Sequence, residues 1–194
     1  MTISLAVLFS GSGRTVLNLL DSIERGELDA SVSLAIASRE GLIGTDRLLD
    51  RGFDVAIATV QDMKSSEGDM RTNAWLDAKK PDIICLCGYL RLLEIRPWME
   101  GRVLNIHPAL LPKYGGKGMF GMHVHRAVLD HNETVSGCTV HLVDDAYDHG
   151  PTILQRTCAV QEGDTPQDLA DRVFSLECEA YPQAITKLAA TIQP

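Results

Sequence analysis

The chain has 194 residues, of which 45% are hydrophobic and 23% charged, and its net charge is −8. These values fit one ordinary globular domain over residues 1–194. The negative charge argues against a surface that binds nucleic acid or anionic membranes, and no apolar run approaches the roughly 18 residues that cross a bilayer.

The first half of the chain alternates apolar runs with helical stripes. Strands are predicted over 3–9, 31–37, 54–59, 82–87 and 102–107, and helices over 15–25, 44–51 and 69–79. This order predicts an α/β fold with a Rossmann-like, mostly parallel sheet and helices on both faces. Because the first run lacks the basic segment of a signal peptide, we expect a cytoplasmic protein.

The second half predicts a helix and then two antiparallel strands, over 123–131, 136–143 and 152–160. A final helix is expected after Thr165, whose hydroxyl caps it, with Pro166 at the first helical position. We expect Pro182 to kink or divide this helix, since proline removes a helical hydrogen bond.

A glycine-rich loop, Gly11-Ser12-Gly13-Arg14-Thr15, separates the first strand from the first helix. Glycines permit close backbone approach, and the helix N-terminus offers unpaired N–H groups, so a phosphate is the natural ligand. A dinucleotide fingerprint would need glycine where Val16 stands, and a triphosphate loop would need Gly-Lys-Ser/Thr. A glycine-rich turn without a ligand remains open.

The segment Asn105-Ile106-His107-Pro108 ends a predicted buried strand. Alternate residues of a strand share a face, so Asn105 and His107 project together. A carboxamide stabilises an oxyanion and an imidazole moves protons, while an acid from the later segment 144–151 would orient the ring and raise its pKa. That trio suits acyl transfer to an amine, although an isolated Asn-x-His on a strand is more often structural.

The long segment 108–122 that follows favours a functional interpretation. Its glycines predict a loop that is mobile when empty and ordered when substrates bind, and Lys113 and Lys117 are expected to place positive charge near the site. A rigid structural loop held by Pro112 and Tyr114 stays open. His123 and His125 have no fixed metal-ligand spacing with His107, so no metal site is expected. On its apolar strand, His141 is expected to be a hydrogen-bonded core residue.

The cysteines are odd in number and include no Cys-x-x-Cys pair, which predicts reduced, mostly buried thiols. They are Cys85, Cys87, Cys138, Cys158 and Cys178.

Together these segments resemble the phosphoribosylglycinamide formyltransferase family of purine biosynthesis. The resemblance covers essentially the whole chain, through segments 10–13, 88–93, 105–114, 137–141 and 148–151. It implies transfer of a formyl group from 10-formyltetrahydrofolate, as co-substrate, to the amine of glycinamide ribonucleotide in de novo purine (IMP) biosynthesis. It further implies small-molecule substrates, no metal, and a monomer or homodimer.

Three alternatives stay open. One is a formyltetrahydrofolate hydrolase, which would use the same trio with water as acceptor. Another is a formyltransferase acting on a different amine, such as an amino-sugar nucleotide. The last is a binding module that has lost catalysis.

By position, the resemblance implies a catalytic trio of Asn105, His107 and Asp148. It implies ribonucleotide binding by Gly11, Ser12, Gly13, Arg14, Thr15, Pro108 and Glu177. The implied folate-binding residues are Leu90, Arg91, Leu92, Leu93, Asn105, Asp144, Asp145, Ala146 and Tyr147. Two departures stand out: Ser12-Gly13-Arg14-Thr15 replaces the more familiar Asn-Gly-Ser-Asn, and Phe174 replaces a glutamine that assists the ribose acid in some members.

Overall fold

The computed structural model describes residues 2–58 and 67–192. Within them, seven strands form one sheet in the order β3-β2-β1-β4-β5-β6-β7. The strands are β1 Ile3–Phe9, β2 Ala30–Ala37, β3 Val55–Ile57, β4 Ile83–Leu86, β5 Val103–His107, β6 Val135–Leu142 and β7 Thr152–Ala159. The helices are α1 Arg14–Glu24, α2 Ile43–Asp50, α3 Glu67–Lys79, α4 Met122–Asp130 and α5 Pro166–Ile192, with a short 3₁₀ helix at Pro97–Met99.

Strands β1 to β5 are parallel, whereas β6 runs antiparallel to β5 and β7 runs antiparallel to β6. The β5–β6 register places Asn105 opposite His141 and His107 opposite Thr139. The predicted fold class, a mostly parallel sheet with antiparallel strands in the C-terminal part, is therefore confirmed.

Helices cover both faces of the sheet because alternate residues of the buried strands point in opposite directions. In β1, Leu5, Val7 and Phe9 pack in a cluster with residues of α1, α2, α4 and α5. Ala6 and Leu8 pack on the other face with Leu76 of α3 and other apolar side chains. Within the described residues, no helix is long and apolar enough to traverse a bilayer.

The predicted elements agree with the observed ones within about two residues at most ends. The strand expected over 54–59 is observed as Val55–Ile57, and its last expected residue, Thr59, lies outside the described residues. The predicted cap of the last helix is confirmed, since the Thr165 hydroxyl oxygen accepts from the Asp168 backbone N–H at 3.2 Å. In return, the Thr165 backbone N–H donates to Asp168 Oδ2 at 2.9 Å.

Pro182 does not divide α5, which runs without interruption from Pro166 to Ile192. A proline at this position leaves the Cys178 carbonyl without its helical donor. The Asn18 side chain of α1 supplies the missing hydrogen bond, with Nδ2 donating to that carbonyl at 2.9 Å. The neighbouring Tyr181 hydroxyl lies 3.0 Å from the carbonyl oxygens of both Leu86 and Leu104, which fixes α5 against β4 and β5.

Candidate active site

A cavity of about 610 Å³ opens beside the ends of β4 and β5, within the size range of small-molecule sites. Two groups of residues line it in addition to the β5 residues Asn105 and His107. We call Arg14, Thr15, Gln167, Ala170, Phe174 and Glu177 the α1–α5 wall. We call Leu90, Arg91, Leu92, Leu93, Ala146 and Tyr147 the loop wall.

The structure brings the three predicted catalytic side chains together. Asn105 and His107 lie on one face of β5, and Asp148 reaches them from the turn between β6 and β7. Asn105 Nδ2 donates to Asp148 Oδ1 at 3.2 Å, and His107 Nδ1 lies 3.5 Å from Asp148 Oδ2. One carboxylate therefore contacts both an amide and an imidazole inside the cavity.

The tautomer of His107 follows from its second nitrogen. Nε2 lies 2.7 Å from the Tyr114 carbonyl oxygen, which can only accept, so Nε2 carries a proton. In the neutral ring Nδ1 is then the unprotonated nitrogen. Burial lowers the pKa of His107, and it outweighs the opposing charge of Asp148. The charge of Asp148 raises this pKa, as expected, but the net shift is downward because the ring is only 4% exposed.

Asp148 is held in its ionised form. Burial alone would raise its pKa, but the contact with His141, the charge of His107 and the Gly116 N–H together hold that pKa below its ordinary value. The Gly116 N–H donates to Oδ2 at 3.0 Å. Asp148 also has a φ of 55°, a conformation that non-glycine residues adopt at a cost and often at functional sites.

His141 completes the network around Asn105. Its Nδ1 donates to the Leu142 carbonyl at 2.8 Å, so in the neutral ring Nε2 accepts from Asn105 Nδ2 at 3.1 Å. Both amide hydrogens of Asn105 thus have protein acceptors, Asp148 and His141. The prediction that His141 is a hydrogen-bonded core residue is confirmed, since it is 1% exposed.

The residues of the predicted phosphate loop differ in their roles: its glycine Gly13 shapes the start of α1, and only its last two residues line the cavity. Gly13 caps α1 with a φ of 71° and no side-chain hydrogen bond. A Cβ atom at Gly13 would lie 3.0 Å from Gly44 Cα, so this close approach and the positive φ together favour glycine. Arg14 and Thr15 line the cavity, while Gly11, Ser12 and Gly13 do not.

Arg14, in the α1–α5 wall, interacts with two carboxyl groups of α5, those of Asp171 and Glu177. The Arg14 guanidinium carbon lies 3.8 Å from the centre of the Phe174 ring, and Nη2 lies 3.7 Å from Asp171 Oδ1. Burial raises the pKa of Glu177 to about 7, against the opposing charge of Arg14. The predicted ribose acid therefore lies at the cavity, together with Pro108.

The loop wall gathers most of the predicted folate-binding residues. Leu90 and Leu92 present exposed apolar surface, and Arg91 Nε donates to Asp69 Oδ1 at 2.8 Å. Asp144 and Asp145 do not line the cavity. Instead, Asp144 shapes the turn, accepting from the Ala146 N–H at 2.9 Å and pairing with His149 Nδ1 at 2.7 Å.

The segment 108–122 is anchored in its first part. Lys113 Nζ lies 2.8 Å from Glu133 Oε1, and the Tyr114 hydroxyl donates to the same carboxyl at 2.9 Å. Lys117 lines the cavity, whereas Lys113 does not line it and pairs with Glu133. Positive φ angles at Gly116, Gly118 and Gly121 mark its later part.

His125 is a cavity residue that the sequence did not single out for substrate binding. It is 4% exposed, and its Nδ1 has no hydrogen-bond partner among the described residues. Residues 2–58 and 67–192 contain no group of three His, Cys, Asp or Glu side chains placed to hold a metal. The signal for His125 is its position on the buried stripe of α4, beside Val124 and Val128.

The family described as "Formyl transferase" matches residues 3–185. The chain is 35% identical over 191 residues to the trifunctional purine biosynthetic protein adenosine-3 of Drosophila pseudoobscura pseudoobscura, covering 95% of this chain and 14% of that protein. It is 33% identical to the chloroplastic phosphoribosylglycinamide formyltransferase of Arabidopsis thaliana, covering 93% of this chain and 63% of that protein. The chain thus spans less than two thirds of these relatives' length.

Solved structures match over nearly their whole length. The phosphoribosylglycinamide formyltransferase of Brucella melitensis is 36% identical with a TM-score of 0.86, covering 98% of this chain and 97% of that one. Glycinamide ribonucleotide transformylase 1 of Symbiobacterium toebii is 35% identical with a TM-score of 0.84, and the match covers 95% of this chain and 86% of that one.

Proposed function

The chain belongs to the formyl transferase family, and we propose that it transfers a formyl group from 10-formyltetrahydrofolate to the amine of glycinamide ribonucleotide, a step of de novo purine (IMP) biosynthesis. One observation carries the proposal. Asn105, His107 and Asp148 form a single network inside a cavity whose two walls differ in character. The names of the similar proteins agree with this reaction.

Asn105 is the proposed oxyanion donor. The substrate amine attacks the formyl carbon, and the formyl oxygen becomes a tetrahedral oxyanion. One amide hydrogen of Asn105, held by Asp148 or His141 in this structure, would turn to that oxygen. Removing such a donor typically slows a reaction by about 10²–10³-fold.

His107 is the proposed base. Its lowered pKa keeps the ring neutral near pH 7, and Nδ1 is the nitrogen that accepts the proton lost by the attacking amine. The bond between the formyl carbon and the folate nitrogen then breaks, and the folate nitrogen recovers that proton from the imidazolium. Asp148, ionised and 3.5 Å from Nδ1, stabilises the imidazolium while it exists. The step needs no metal, because the network supplies the donor, the base and the counter-charge.

The two walls suit the two substrates. We propose that the ribonucleotide phosphate binds the N-terminus of α1 at Gly11–Thr15, since unpaired N–H groups and Arg14 favour an anion there. Glu177 would accept hydrogen bonds from the ribose hydroxyls beside Pro108. The pterin of the folate would contact the apolar loop wall. Both partners are small molecules, and we propose a monomer or homodimer.

A single assay separates this reaction from its alternatives. The protein is incubated with 10-formyltetrahydrofolate and either glycinamide ribonucleotide, an amino-sugar nucleotide or no acceptor, and formyl product and formate are both measured. We expect formyl transfer to the ribonucleotide, with slow formate release when no acceptor is present. Formate release without acceptor at the rate of transfer would indicate a hydrolase, and preference for the amino sugar would reject the proposed acceptor.

A further inference from the structure

Arg14 reaches from α1 to α5 across the edge of the cavity. Its guanidinium carbon lies 3.8 Å from the centre of the Phe174 ring, the distance of a stacked cation–π contact. Its Nη2 lies 3.7 Å from Asp171 Oδ1. Asp171 and Phe174 are three residues apart on one helix, so they present one face to Arg14.

The two contacts differ in strength and in the part of the Arg14 guanidinium that they engage. The pair with Asp171 is longer than a direct hydrogen bond, and its side chains are 49% and 57% exposed, so it contributes little. Stacking on Phe174 engages the face of the guanidinium and leaves the N–H donors at its edge for an anion. Phe174 therefore fixes the position of the cation, while Asp171 offers an exchangeable counter-charge.

Two further features favour an anionic ligand at this cation. Arg14 is the first residue of α1, and Gly13 before it provides no side-chain cap. Both Arg14 and Phe174 line the cavity, as does Glu177 one turn further along α5. Since the carboxylate of Asp171 forms a weak, exposed pair with Arg14, a phosphate that makes bidentate contacts would be a better partner.

We infer that Phe174 is a positioning residue for Arg14, and that a phosphate monoester on the amine substrate displaces Asp171 as the partner of the Arg14 guanidinium. The Phe174–Arg14 stack thereby holds the guanidinium in the position where the phosphate binds. This inference rests on the proposed function and extends it to residues that replace the more familiar side chains of the family.

The test compares four variants by calorimetric binding of ribose 5-phosphate and by kinetics with glycinamide ribonucleotide. Phe174→Leu keeps apolar volume but removes the aromatic face, so Kd and KM should rise about threefold to tenfold with little change in kcat. Phe174→Tyr keeps an aromatic face, so its Kd and KM should stay near the wild-type values. Asp171→Asn should lower Kd by about twofold to fivefold, because the competing charge is removed. Arg25→Gln, at an exposed arginine paired with Glu27, is the matched control.

Opposite signs for Phe174→Leu and Asp171→Asn would not arise from a purely structural role, and thermal unfolding checks that each variant is folded. Equal Kd for Phe174→Leu and wild type, or weaker binding by Asp171→Asn, would overturn the inference. Failure of the wild type to formylate the ribonucleotide would instead reject the proposed function, since ribose 5-phosphate binding needs no formyl donor.

Discussion

Glu177→Gln should stabilise the protein at pH 8 but not at pH 4.5. Burial raises the pKa of this carboxyl to about 7, against an ordinary value of 4.5. Between those pH values the folded protein keeps a proton that the unfolded chain releases, so the unfolding free energy of the wild type falls as pH rises through this window. Over the whole window the unfolding free energy of the wild type falls by at most about 3 kcal/mol. The Glu177→Gln variant does not lose this free energy, because glutamine does not titrate.

Urea unfolding at pH 4.5, 6 and 8 measures this difference. The gain of Glu177→Gln over wild type should be near zero at pH 4.5 and grow towards about 3 kcal/mol at pH 8. Glu179→Gln, at an exposed position two residues along the same helix, is the matched control and should show no such growth. A gain that does not change with pH, or a loss at pH 8, would refute the argument that desolvation outweighs the attraction of Arg14.

Three further predictions test the phosphate loop, the loop after β5 and the packing of α5. Gly13→Val, at a φ of 71° and beside Gly44, should raise the KM for the ribonucleotide and leave folate affinity unchanged. A lower folate affinity with an unchanged KM for the ribonucleotide would show that the two substrates had been assigned to the wrong walls. Hydrogen exchange in residues 117–121 should slow when both substrates bind, and equal protection with and without them would show that this segment is not a lid. Asn18→Ala should lower the unfolding free energy by about 1–3 kcal/mol, because the Cys178 carbonyl loses its donor; a loss below about 0.5 kcal/mol would contradict this account of Pro182.

Local patterns in the sequence were sufficient to predict most of the fold. Continuous apolar runs identify β1, β4 and β5, since both faces of these strands are covered. The spacing of Asn105 and His107 predicts that they share a face, because alternation is a property of any strand. Thr165 and Asp168 similarly identify the start of α5, since capping involves residues only three positions apart.

What the sequence did not predict depends on contacts between distant residues. The donor that lets α5 continue through Pro182 is Asn18, 160 positions earlier in the chain. Lys113 turns to Glu133, a partner 20 residues away that no local pattern indicates. The pKa of His107 falls because several elements bury the ring, and the attraction of Asp148 alone suggested the opposite sign.

The most direct test of the central claim is single-turnover formyl transfer to glycinamide ribonucleotide by Asp148→Asn and His107→Ala. If the network performs the chemistry, each variant should be slower by at least about 10²-fold, with unchanged folate affinity and thermal unfolding. Asp54→Asn, at an exposed aspartate outside the cavity, should transfer at the wild-type rate. A near-wild-type rate in either Asp148→Asn or His107→Ala would contradict the proposed roles of Asp148 and His107 in the transfer step.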